Sequence, residues 1–189
     1  FGIKTDKFNN KITNEILKIN NRINIDLDKI GFLLNPFNLT INVIAKNPKI
    51  QLNDKKLEIN HIKSNISLKA LLSNQFLIDD LQVSTKANSL NTIILLIRSF
   101  KNSTELFLLD SFIKNGSLTA NLKINFDNKG NLKDDYEITG FVENGKFNVL
   151  NKFNIKNLKF NFEISKKKYL LTRIKADLND ILLSSPLIE

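Results

Sequence analysis

Apolar and polar residues alternate along much of this chain with a period of two. Leu118, Ala120, Leu122, Ile124 and Phe126 alternate with Thr119, Asn121, Lys123 and Asn125. Leu158, Phe160, Phe162 and Ile164 do so with Lys159, Asn161 and Glu163, and Phe37, Leu39, Ile41 and Val43 with Asn38, Thr40 and Asn42. Successive side chains of a strand point to opposite faces, so the pattern predicts half-buried β-strands with one apolar and one polar side. Shorter or interrupted versions run at Ile23 to Leu34, Leu57 to Ile59, Ile66 to Leu68, Phe76 to Val83, Tyr136 to Val142 and Leu170 to Leu178, about ten or eleven strands in all. A phase shift near Asp28 and Lys29 reads as a bulge.

Turn chemistry separates these runs: Asn35-Pro36, Asn47-Pro48, Asn53-Asp54, the stretch from Asp127 to Gly130, Asn144-Gly145 and the three lysines Lys166 to Lys168. Turns this short join only antiparallel neighbours, because a parallel return needs a crossover of a dozen or more residues. Three segments have helical spacing instead. Asp6 to Ile19 places Phe8, Ile12, Ile16 and Ile19 on one face behind Thr5 as N-cap; Ser89 to Phe100 and Thr104 to Ile113 are apolar almost all round and predict a buried helical pair over the sheet. The expected fold class is therefore mainly β: a long antiparallel meander with an N-terminal helix and a short central helical pair, inserted at about 89–113 in a single domain spanning 1–189.

The apolar side of such a sheet has three possible fates. It packs on a second sheet about 10 Å away, closes into a barrel, or stays as an open, curled sheet whose concave face receives a ligand. The alternating positions are mostly Leu, Ile, Val and Phe, without interior polar groups to orient a small ligand. That composition leans towards the open form and suits alkyl chains, which bind by area.

Composition narrows the chemistry. Among 189 residues there are no Cys, Met or Trp and a single His, which removes disulfides, thiolate nucleophiles, Cys/His zinc sites and most catalytic sets, and no cofactor is expected. The one histidine, His61, reads as a strand-end surface residue. Asp79-Asp80 and Asp134-Asp135 are neighbours that a strand would point to opposite faces, and they read as turn or edge residues. Lys166 to Lys168 read as a solvated turn, with anionic headgroups as a secondary partner. Twenty-eight Lys+Arg against nineteen Asp+Glu give a net charge of +9, but the lysines scatter over the polar positions and the Phe residues occupy the opposite face. Interleaved base stacking has no platform there, and nucleic acid is not an expected partner. No apolar run reaches the roughly 20 residues of a membrane helix. The chain opens on Phe1 and reads as a piece of a longer protein, with any anchor outside it.

The stretch from Gly116 to Glu189 resembles the AsmA-like family of Gram-negative envelope proteins. The likeness rests on Gly116-Ser117-Leu118 opening a strand, the run from Gly140 to Phe147 (GFVENGKF), Ile155-Lys156-Asn157-Leu158, and the closing Leu182-Leu183-Ser184-Ser185-Pro186. The opening stretch Phe1 to Phe8 (FGIKTDKF) is similar to the segment just after the single N-terminal anchor in such proteins. The resemblance implies a long curved antiparallel sheet forming a taco-like groove in the periplasm. A segment outside this chain would anchor it in the inner membrane, and phospholipid acyl chains would be shielded in the groove on their way to the outer membrane. Eukaryotic bridge-like lipid-transfer proteins are similar in this respect.

The expected function is accordingly passive, non-enzymatic lipid shielding for envelope biogenesis. The residues assigned to acyl chains are Leu118, Leu122, Ile124, Phe126, Ile138, Leu158, Phe160, Phe162 and Ile164, with no catalytic or metal site. The rival expectation is a closed β-sandwich, a structural or interaction module whose apolar face is only core.

Overall fold

The computed structural model describes residues 3–5, 23–27, 30–69, 77–100, 103–127, 131 and 133–189. The predicted N-terminal helix falls outside them. The described chain is mainly β, and its strands form one hydrogen-bonded antiparallel sheet. In chain order they are β1 (Ile3–Thr5), β2 (Ile23–Asp26), β3 (Ile30–Asn35), β4 (Thr40–Lys46), β5 (Lys49–Leu52), β6 (Lys55–Ser67), β7 (Ile78–Thr85), β8 (Asn88–Ser89), β9 (Ile113–Asn125), β10 (Glu137–Val149), β11 (Phe153–Ser165), β12 (Lys168–Leu178) and β13 (Ile181–Ile188). Two helices, α1 (Leu90–Phe100) and α2 (Thr104–Phe112), connect β8 to β9. The main path across the sheet is β1-β3-β4-β6-β7-β9-β10-β11-β12-β13, and its two ends do not pair with each other among the described residues, so the sheet is open.

Short turns of left-handed Asn and Asp build the meander. Asn179 (φ 48°) and Asp180 (φ 67°) make the two-residue β12–β13 turn, whose positive φ at both positions matches the twist of the flanking strands. Asn53 (φ 53°) serves between β5 and β6, and Leu150 and Asn151 (φ 54° and 56°) between β10 and β11. The β3–β4 connection differs from the sequence expectation. Alternation places Phe37 and Leu39 in a strand, but the Asn35 side-chain oxygen accepts the Phe37 and Asn38 N–H groups at 3.2 and 3.3 Å and Leu39 adopts φ 49°, so the turn occupies 36–39 and β4 begins at Thr40. The local side-chain bonds outcompete the ladder.

A line of irregularities crosses the sheet. In β10 the register against β11 shifts between Val142 and Gly145, and in β11 against β12 it shifts between Lys156 and Lys159. Asn144 and Asn157 stand inside these breaks with φ 52° and 55°, and Arg173 (φ 54°) lies in the corresponding break of β12. Between β4 and β5, Asn47 (φ 47°) and Pro48 interrupt the strand while the Asn47 N–H still bonds Asn60 O at 2.8 Å. At this line the apolar positions change parity: β6 buries Leu57 and Ile59 before it and Ile66 beyond it, and β10 covers Val142 and then Phe147. An extra residue restores the apolar side to one face and bends the strand.

Two apolar clusters hold the structure. Ile25, Leu27, Ile30, Val43, Ala45 and Ile66 form one, under β2–β6; Leu90 and Ile94 of α1 with Ile113 and Val142 form the other, with Leu118, Phe147, Phe160 and Phe162 packed against it. Ser89 caps α1 by accepting the Thr92 N–H at 3.1 Å. The helical pair is only half as buried as its sequence suggests. No residue of α2 is buried, and Phe107, Leu108 and Leu109 are exposed.

Candidate functional site

Register decides which side chains share a face, because directly paired residues project to the same side. Ile138 of β10 pairs with Leu122 of β9 and Ile164 of β11, one row across three strands. Val142 pairs with Leu118 and Phe160, and Gly140 with Ala120 and Phe162, two more rows on that side. Leu158 stands opposite Gly145, and Ile124 opposite Leu81 of β7. Eight of the nine residues expected to meet acyl chains are thus brought onto one apolar face. The ninth, Phe126, lies two positions beyond Ile124, its N–H bonded to Asp79 O at 2.9 Å.

All nine are half-buried, none as enclosed as the core and none fully exposed. They fall into two groups. Leu118, Phe160 and Phe162 lie against the α1 cluster, with the Phe160 and Phe162 rings 6.3 Å apart and tilted by 59°. Leu122, Ile124, Phe126, Ile138, Leu158 and Ile164 belong to neither buried cluster. Their face is continuous through Val83 and Leu81, paired with Leu122 and Ile124, to Ile62 and then Ala45. At its Ala45 end this face joins the buried cluster under β2–β6, and only apolar contact is open to it chemically.

The opposite face is polar. Lys63, Gln82, Lys123 and Glu137 make one row and His61, Ser84, Asn121 and Thr139 the next. Most of these residues line a pocket of about 300 Å³. His61 is not at a strand end; it sits within β6, paired with Lys46 and Ser84. Burial, and secondarily the Lys63 charge, hold its imidazole below its ordinary pKa.

Of the acidic pairs, Asp79 is exposed and Asp80 is buried, where its carboxylate accepts the Asn65 N–H and the Gln82 side-chain N–H, both at 2.9 Å. Asp80 is therefore structural, a role that adjacent aspartates in sequence do not reveal. Asp134 is exposed and ion-paired with Lys166. Asn88 is a second polar residue the alternation missed. Buried beside β6, it accepts the Glu58 N–H at 2.7 Å and donates to the Glu58 and Lys86 carbonyls at 2.9 Å, standing in for a ladder pair. Among the described residues no group of three or more acidic or imidazole side chains is placed to hold a metal ion, and no helix is long and apolar enough to cross a membrane.

No protein-family model, curated protein or solved structure matches this chain.

Proposed function

We propose that this chain is a segment of an AsmA-like envelope protein whose sheet curls into a groove that shields phospholipid acyl chains. The observation that carries the reading is the in-register apolar face from Ile62 to Ile164, half-covered, with Leu122, Ile124, Ile138 and Ile164 outside both buried clusters. The aligned breaks at Asn47, Asn144, Asn157 and Arg173 support the curl, because bulges at one level in successive strands bend a sheet along one line. Acyl chains lie along the apolar side and headgroups stay at the rim. Each buried methylene contributes about 0.8 kcal/mol, so ten are held by several kcal/mol, while uniform affinity along the face lets a chain slide. The protein carries out no covalent chemistry. It works in the periplasm, held to the inner membrane by a segment outside this chain, and forms one section of a route towards the outer membrane.

Mass spectrometry of an organic extract of the purified, folded protein tests this. Phospholipid should be present in wild type and lost from Ile124→Asp, which should keep its fold because Ile124 is outside the buried clusters. A lipid-free extract from folded wild-type protein refutes the proposal. Unfolding of Ile124→Asp assigns the face to a closed core and supports the sandwich module instead.

A further inference from the structure

The main path of the sheet ends at β13, and the far side of that strand pairs with no other strand among the described residues. Edge strands are ordinarily blunted by charged side chains. β13 reads ILLSSPLI and carries none, and Ile181, Leu182, Leu183, Leu187 and Ile188 are 45–74% exposed along it.

Pro186 shows which backbone groups face outwards. Ser185 pairs with Ile174 and Leu187 with Thr172, in one register on either side of the proline. A proline keeps its place in such a ladder with its nitrogen on the free side, so by alternation the N–H and C=O groups of Leu182, Ser184 and Ile188 also point away from β12. A row of this kind fits an added strand, whereas an acyl phase cannot satisfy it.

The strand is complementary to itself. A two-fold axis normal to the sheet pairs two copies antiparallel, and each residue then meets one of its own parity, because directly opposed side chains lie on one face. With the axis at Ser185, Leu182 meets Ile188 of the second copy, Leu183 meets Leu187, and Ser185 meets its own equivalent. Every Leu and Ile of 182–188 gains an aliphatic neighbour across the join. An axis at Ser184 would instead set Leu183 against Ser185 and Leu182 against Pro186. Charge does not oppose the approach, for although the chain carries +9, Arg173 and Lys175 beside this edge are balanced by Asp177, Asp180 and Glu189.

We propose that β13 joins two copies of this chain into one continuous antiparallel sheet about a two-fold axis at Ser185. The axis keeps the apolar faces of both copies on the same side of the joined sheet. This goes beyond the groove and stands without it: a lipid-free extract leaves the dimer intact, and a monomer leaves lipid capture intact.

A single strand-to-strand contact is small, so the dimer should dissociate in the micromolar range. Sedimentation of the wild-type chain should show a monomer–dimer equilibrium that is largely dimer at about 100 μM. Leu182→Lys places like charges close to the join and should weaken association at least tenfold; at 74% exposure the substitution should leave the far-UV circular dichroism unchanged. The chain has no Cys, so Ser185→Cys supplies a single thiol, which the axis brings opposite its copy at a spacing a disulfide can span. Mild oxidation should cross-link it, and Leu150→Cys, 77% exposed between β10 and β11, should cross-link far less. Four results overturn the proposal: a wild-type monomer at about 100 μM, wild-type association of folded Leu182→Lys, equal cross-linking of the two cysteine variants, or species that grow beyond the dimer with concentration. The last makes the edge an open stacking surface and not a closed two-fold contact.

Discussion

Phe162 fills the space that a side chain at Gly140 would need. The two residues are paired across β10 and β11, and a Cβ built on Gly140 lies 2.7 Å from the Phe162 Cζ and 3.0 Å from the Ala120 Cα, with the Thr119 carbonyl oxygen closer still. Gly140→Ala should therefore lower the urea midpoint, by about 1–3 kcal/mol in stability, the usual range for overpacking. Shrinking the ring should not rescue it. In the double variant with Phe162→Leu the Thr119 oxygen remains, and backbone within a paired strand cannot move aside. Recovery of wild-type stability in that double variant contradicts this account.

Asp80 makes a polar commitment near the start of β7. Its carboxylate satisfies the Asn65 N–H and the Gln82 side chain from a buried position. Asp80→Ala leaves a covered backbone donor unpaired and should cost about 1–3 kcal/mol in denaturant unfolding. Asp80→Asn keeps one acceptor for Asn65 and should cost clearly less. Equal losses in the two variants would mean that charge, and not the hydrogen bond, is what the site requires.

The alternation of Leu118 to Phe126 and of Leu158 to Ile164 is legible in the sequence because each run stays on one side of the line of bulges. Where a strand crosses that line, its apolar positions switch parity, and the sequence breaks into pieces. Leu57 to Ile59 and Ile66 to Leu68 look like two short strands, but 57–59 and 66–67 belong to the single 13-residue strand β6. Phe37 and Leu39 extend the alternation of β4 in sequence while Asn35 folds them into a turn, since period-two patterning cannot register a side-chain bond to the backbone. The same blindness hides Asn88 and Asp80, polar residues whose value lies in a partner some 15 to 30 positions away. Apolar composition marks α2 as core, yet none of its residues is buried, because burial is set by position and not by residue type.

What ties α2 down is a charge pair. The Arg98 guanidinium donates to the Asp110 carboxylate at 2.5 Å, both side chains 22% exposed, and lies 5.3 Å from the centre of the Phe107 ring. Because α2 buries no residue, loss of the pair should release the helix without unfolding the sheet. Asp110→Ala should cost about 1–2 kcal/mol, between an exposed pair and a fully buried one. Hydrogen exchange is the sharper readout: amides of 106–112 should lose protection while those of β10 and β11 keep theirs. Protection lost equally in both would show the helical pair to be part of one cooperative unit with the sheet.

The single histidine offers a pH test with one resonance to follow. His61 is held below its ordinary pKa of 6.5 first by burial and then by Lys63. A folded-state value below the unfolded one means that the unfolded chain binds the proton more readily, so stability rises with pH across the interval between the two values and falls on acidification through about 6.5. His61→Gln should flatten that part of the stability profile. In an NMR titration of the folded protein the imidazole midpoint should lie below 6.5. Lys63→Gln should move it only part of the way back, because burial between β4 and β7 remains. A midpoint at or above 6.5 would contradict the desolvation of the ring, and complete restoration by Lys63→Gln would make charge the larger cause.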